Sequence, residues 1–87
     1  MSSETYENRI KRMRMRSWRR GMKEMDIVMG GYADARLKSM TEAQLDAWDA
    51  LLNENDPDLL AWITGQQETP PALLDLISDV AAFARQA

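Results

Sequence analysis

Helix-start signals in the second half of the chain constrain the fold more than any other feature of the sequence. Thr41 is a typical N-cap residue, and Gln44, three positions later, completes a capping box. Asp56 followed by Pro57 has the pattern of an N-cap and a first helical position. Thr69 precedes two prolines, which can begin a helix but not lie in its interior. We therefore predict that three helices begin near these residues.

The first half of the chain shows helical periodicity. Tyr6, Ile10 and Met13 share one face at helical spacing, which predicts a first helix over about residues 4–17. A second helix is predicted to begin at about residue 19 or 20 and to end at about residue 38. No segment alternates as a β-strand does. We expect an all-α fold in which the whole chain forms one small domain, a bundle of about five helices.

The glycines and tryptophans lead to two expectations about packing. Gly30-Gly31 should weaken or bend the second helix, because each glycine costs roughly 1 kcal/mol relative to alanine in a helix interior. Trp48 and Trp62 lie on the apolar faces of capped helices and should be largely buried. Trp18 lies among arginines and should be more exposed.

The absence of cysteine and histidine narrows the possible functions. The chain has no thiolate nucleophile and no imidazole acid–base group, which argues against an enzyme. Neither a metal site nor a tightly bound cofactor is expected, since no acidic segment has the spacing of a calcium loop. No apolar run approaches the ~20 residues of a membrane-spanning helix, and the first residues lack an apolar signal segment. We expect a cytoplasmic protein without membrane insertion.

Charge is distributed unevenly along the chain. Residues 1–38 contain ten of the eleven basic residues and five acidic ones, a net charge of +5. Residues 39–87 contain one basic residue and nine acidic ones, a net charge of −8. The basic run within residues 9–23 has three possible explanations: a solvated face that also pairs with the acidic half, a nucleic-acid contact, or a docking surface for an acidic protein partner. The acidic net charge of −3 and the lack of a known nucleic-acid-binding motif weigh against the second.

Arg20, Gly21 and Glu24 form a candidate contact site. On a helix, Arg20 and Glu24 would project from one face, at positions i and i+4. This pair has the weaker orientation, with the base before the acid, and Gly21 is a poor helix former, so local stability does not explain the three residues. A contact surface does, because Gly21 lets another backbone approach while the charged side chains make directed contacts. An exposed ion pair at a helix start is the alternative, and on this pattern alone the commoner one.

Two segments together resemble a known family. Residues 19–26, Arg-Arg-Gly-Met-Lys-Glu-Met-Asp, are similar to the Arg-Gly-x-x-Glu signature of the SdhE-type succinate dehydrogenase flavinylation factors of bacteria and mitochondria. Residues 56–62, Asp-Pro-Asp-Leu-Leu-Ala-Trp, are similar to that family's Asp-x-Asp-Leu-x-x-Trp segment. The resemblance covers roughly residues 9–77, and the order and spacing of the two segments make it more specific than either alone. Gly30-Gly31 departs from the bulkier residues usual in the family.

The resemblance implies a bundle of about five helices and a non-enzymatic role. Members bind the flavoprotein subunit of succinate dehydrogenase, and often that of fumarate reductase, while FAD becomes covalently attached to a histidine of that subunit. FAD would therefore belong to the client and would not be a tightly bound cofactor of this chain. A generic helical adaptor, or less favourably a nucleic-acid-binding module, stays open as an alternative. The partner-binding residues implied are Arg20, Gly21 and Glu24, surrounded by Arg16, Arg19, Lys23 and Asp26.

Overall fold

The structure, a computed structural model, describes residues 4–86, and this part of the chain forms five α-helices and two short 3-10 turns. No strand occurs within it. The prediction of a small all-α domain of about five helices is confirmed. The 3-10 turns are Leu37–Ser39 and Pro71–Leu73. The helices are α1 (Tyr6–Trp18), α2 (Lys23–Arg36), α3 (Glu42–Leu51), α4 (Asp56–Ile63) and α5 (Leu74–Gln86).

The helix-start signals act nearly as predicted. Thr41 caps α3: its hydroxyl accepts from the Gln44 backbone N–H at 3.2 Å, and the Gln44 side chain accepts from the Thr41 N–H at 2.8 Å. The capping box is confirmed. The predicted cap of α4 is wrong by one position, because Asn55 accepts from the Asp58 N–H at 3.0 Å while Asp56 is already the first helical residue. The Asp56 side chain is thereby available for another contact.

The predicted start of the second helix is also wrong. α2 begins at Lys23, three or four residues later than expected, because Gly21 has a φ of +101°. This left-handed backbone conformation cannot continue a right-handed helix, and it favours glycine over residues with a side chain. At its other end α2 stops at Arg36 and passes into the 3-10 turn.

The expected break at Gly30-Gly31 does not occur, since α2 is continuous through both residues. Gly30 is buried beneath the indole of Trp18, at the end of α1. A Cβ atom at position 30 would lie 2.1 Å from the Trp18 ring, far inside any real contact distance. Glycine at position 30 lowers the helix propensity of α2, but it allows α1 and α2 to pack closely.

Side chains from all five helices meet in one core. Trp48 of α3 is fully buried, as predicted, and its Nε1–H donates to the hydroxyl of Ser17 at 3.1 Å. The Ser17 hydroxyl donates in turn to the Met13 carbonyl oxygen at 2.7 Å, so this buried polar pair is satisfied. The fully buried apolar side chains include Met13, Met25, Met29, Trp48, Leu59 and Val80.

Four aromatic or apolar residues test the predicted packing further. Trp18 is 40% exposed, which confirms its place nearer the surface. Trp62 is half-buried at the edge of the core, so its expected burial is wrong in degree; a side chain of this size is rarely enclosed completely. Tyr6, on the predicted apolar face of the first helix, is 52% exposed, and Leu74 is 50% exposed. Each is the first residue of its helix, where the neighbouring helices no longer cover the side chain.

Candidate protein-interaction site

Residues 19–22 form the turn between α1 and α2. Arg19 ends α1, and Gly21 reverses the chain with its positive φ. A Cβ atom added to Gly21 would meet nothing within 4 Å, so the glycine is required by the backbone conformation and not by a neighbouring atom. The turn consequently presents bare backbone to solvent at this position.

The Arg20 side chain points away from solvent and anchors the turn to the connection between α3 and α4. Its Nε donates to Asp56 Oδ1 at 2.9 Å. Its two terminal nitrogens donate to the carbonyl oxygens of Leu52 at 2.7 Å and Glu54 at 2.6 Å. The Arg20 and Asp56 side chains are 10% and 9% exposed, which makes this a buried, hydrogen-bonded ion pair.

Asp26 completes the support from the other side. Its carboxylate accepts from the Arg20 backbone N–H at 2.5 Å, which joins the turn to the first helical turn of α2. The predicted i, i+4 helical pairing of Arg20 with Glu24 is wrong, because Arg20 precedes the helix and its partner is Asp56. Folding thus accounts for Arg20 and for Gly21, contrary to the sequence-based hypothesis that it would not.

The outward side of the turn has a different character. Arg19, Gly21, Lys23 and Glu24 are all exposed. Within residues 4–86, the Glu24 carboxylate takes part in no hydrogen bond or ion pair. We refer to these four residues as the corner surface. It offers a guanidinium, an ammonium, a carboxylate and uncovered backbone to an approaching partner.

Most of the remaining arginines of the basic run pair with the acidic half. Arg9 contacts Asp46, and Arg12 contacts Asp49 at 3.1 Å. Arg16 is half-buried and donates to the carbonyl oxygen of Leu52 at 3.2 Å, close to the acceptor of Arg20. The internal pairing of the two halves that the charge pattern suggested is therefore present along α1.

These ion pairs perturb the ionisation of the acids involved. A hydrogen bond from Arg12 is the main cause that lowers the pKa of Asp49 below its usual value, and burial opposes it. A hydrogen bond from the same guanidinium lowers the pKa of exposed Glu4. The two acids together raise the pKa of Arg12, with the bond to Glu4 as the larger cause. All three groups are charged at neutral pH, so the pairing persists there.

The sequence pattern singled out these residues but placed them on a helix and missed their support. Arg20, Gly21, Lys23, Glu24 and Asp26 lie in and just after the turn, where Arg20 and Asp26 face inward while the others are exposed. Asp56 was missed, because its place before Pro57 looked like an N-cap. The available signal was the joint occurrence of the two family segments, one of which contains Arg20 and the other Asp56.

The described residues form a small all-α domain that carries the corner surface at the connection between its first two helices. Comparisons of its sequence with known proteins identify the family to which it belongs. The family described as flavinator of succinate dehydrogenase matches residues 11–84. The chain is 40% identical over 72 residues to the FAD assembly factor SdhE of Legionella pneumophila (strain Lens), a match that covers 83% of this chain and 91% of that protein.

A mitochondrial relative is also similar. The chain is 39% identical over 69 residues to the mitochondrial succinate dehydrogenase assembly factor 2 of Candida glabrata, covering 79% of this chain and 45% of that protein. The chain therefore belongs to the family of succinate dehydrogenase flavinators, and the resemblance inferred from the two segments is confirmed. Within the described residues, no helix is both long and apolar enough to cross a membrane.

Proposed function

We propose that this protein binds the flavoprotein subunit of succinate dehydrogenase and promotes the covalent attachment of FAD to it. The names of its relatives, FAD assembly factor and succinate dehydrogenase assembly factor, support this role. The observation that carries the proposal is the arrangement at the start of α2. A buried ion pair holds Arg20 inward, while Gly21 and Glu24 are exposed and the Glu24 carboxylate has no partner within residues 4–86.

The protein acts by positioning and supplies no reacting group of its own. The sequence contains no histidine or cysteine, which supports a role in which the reacting groups belong to the client and the flavin. Fixing two reactants in a productive geometry can by itself remove about 7–11 kcal/mol of a barrier at best. FAD is accordingly the group attached to the client, and the protein holds no tightly bound cofactor.

The residues of the turn divide into contact and support. Gly21 allows the client's backbone to come close, and Glu24, Lys23 and Arg19 make directed polar contacts around that approach. Arg20 and Asp26 contribute by holding the turn in shape. Arg16 reinforces the same anchor through the carbonyl oxygen of Leu52.

The proposal extends to setting and partners. The similarity to a bacterial assembly factor supports a bacterial cytoplasmic protein. The flavoprotein subunit of fumarate reductase is a second proposed client, because the family resemblance includes factors that serve it. Nucleic acid is not a proposed partner, since Arg9, Arg12, Arg16 and Arg20 are engaged in ion pairs with the chain's own acids.

A reconstituted flavinylation assay tests this function. The isolated flavoprotein subunit is incubated with FAD, with and without the protein, and covalent flavin is measured by fluorescence after denaturing electrophoresis. The parent protein should accelerate attachment, and Glu24→Ala should lose most of that acceleration. Glu42→Ala is the matched control, since Glu42 is also an exposed glutamate in the first turn of a helix. Equal activity of both variants would overturn the assignment of the corner surface, and no acceleration by the parent would overturn the function.

A further inference from the structure

Large apolar side chains are exposed beside the corner surface. Within residues 4–86, five such side chains are exposed, and three of them lie on the α1–α2 hairpin near the turn. They are Met15, Trp18 and Ile27, which are 44%, 40% and 55% exposed. Helical spacing and packing place them close together: Met15 is one helical turn from Trp18, Trp18 lies on Gly30, and Gly30 is one turn from Ile27. We refer to these three residues as the apolar patch.

The Trp18 ring is exposed and yet held in one orientation. Its Nε1–H donates to Asp34 Oδ2 at 3.2 Å, and the other oxygen of that carboxylate accepts from Arg14 Nε at 2.9 Å. Its flat face lies in the space left by Gly30. A rigid, partly exposed aromatic loses little conformational entropy on association, and tryptophan is enriched among the residues that dominate binding energies.

The charges around the apolar patch indicate what kind of surface it fits. Lys11, Arg19 and Lys23 are exposed near it and, within the described part of the chain, form no ion pair. The neighbouring arginines Arg12 and Arg16 are paired instead with acids of this chain. Three exposed cations outnumber the exposed Glu24 carboxylate at this border, so the apolar patch is complementary to an apolar centre bordered mainly by carboxylates. A second copy of the chain would bring the same cations together and is disfavoured.

We propose that Trp18, flanked by Met15 and Ile27, is the apolar anchor of client binding, and that the client's facing surface is an apolar patch with an acidic border. This inference rests on the proposed function, since it names the chemistry of the same partner. It extends the contact from the polar turn to the outer side of α1 and α2. An open groove of about 520 Å³ adjoins Met15 and is otherwise lined by Arg12, Arg16, Arg19 and Arg20.

Binding measurements with the isolated succinate dehydrogenase flavoprotein subunit test the anchor. Ile27→Gln should raise the dissociation constant on the order of tenfold, and Trp18→Gln should raise it by at least as much. Ile27→Gln should melt like the parent, because Gln is the better helix former and Ile27 is 55% exposed. Leu74→Gln is the matched control: Leu74 is 50% exposed on α5, away from the turn, and its replacement should leave affinity unchanged.

The outcomes separate this proposal from the function on which it rests. If Ile27→Gln and Trp18→Gln bind like the parent while Glu24→Ala binds weakly, the apolar anchor is overturned and the proposed function stands. Absence of binding by the parent overturns both. The acidic border is tested by salt: affinity should fall as sodium chloride rises from low to physiological concentration and above. An affinity that is independent of salt, or that rises with salt, contradicts the proposed acidic border on the client surface.

Discussion

Arg20 and Glu24 lie four residues apart in one motif and carry opposite charges, but their surroundings differ completely. The Arg20 guanidinium is 10% exposed and donates from all three nitrogens to acceptors around the α3–α4 connection. Glu24 is exposed and, among residues 4–86, unengaged. One charge holds the turn in place, and the other faces solvent.

This difference shows that a short motif can combine a residue that supports the fold with a residue that is exposed to solvent, and that the motif sequence alone does not distinguish them. Loss of the inward residue removes the shape of the surface, whereas loss of the outward residue removes one contact from a surface that is still correctly shaped. Measurements of function alone would not distinguish the two, because both changes reduce client binding. Stability and binding therefore have to be measured together for each variant.

The strongest test of the comparison is Arg20→Ala. The change leaves Asp56 as a buried carboxylate without its partner, and breaking a buried pair in this way costs about 3–5 kcal/mol. A domain of this size has a free energy of unfolding of only about 5–15 kcal/mol, so the loss should be large in a urea titration. Arg19→Ala, the exposed neighbour, should change stability by less than about 0.5 kcal/mol. Equal stability of the two variants would contradict the anchoring role of Arg20.

The adjacent glycines of α2, Gly30 and Gly31, allow a comparison between a tightly packed position and one with room for a side chain. Gly30→Ala should destabilise the protein by about 1–3 kcal/mol, because its Cβ atom would overlap the Trp18 ring and force it to move. Gly31→Ala should be neutral or stabilising by up to about 1 kcal/mol, since its Cβ atom would lie 3.6 Å from Phe83, an ordinary contact. Thermal melts of the two variants check this. A stabilised Gly30→Ala protein would show that Trp18 is not held there.

A third comparison separates the strain of the turn from its use as a surface. Gly21→Arg and Gly65→Arg both place a side chain at a positive φ, +101° and +80°, and both positions are open to solvent. Each should cost about 1–2 kcal/mol of stability. Only Gly21→Arg should abolish flavinylation, because the bulky side chain would hold the client away from the corner surface. If Gly65→Arg is equally inactive at similar stability, strain and not contact explains the loss.

Local signals in the sequence predicted the helices of the second half well. The capping box at Thr41 depends on residues within one helical turn, and it appears where the pattern placed it. The boundaries at Asp56 and at the start of α2 were displaced by one to four residues. Local spacing does not reveal the reasons: Asp56 pairs with the distant Arg20, and Gly21 adopts a turn conformation before α2.

The sequence by itself determined the fold class, the family and the position of the motif, because helix propensity, capping and charge pattern are local properties of the chain. Only the tertiary structure decided which residues of the motif are buried and which face solvent. Asp56 is thirty-six positions from Arg20, and Trp18 meets Gly30 across two packed helices. Such contacts depend on how α1, α2 and the α3–α4 connection pack, and packing is set by the whole core at once. From the sequence alone, a charged residue of the motif could therefore be either a buried structural residue or an exposed surface residue.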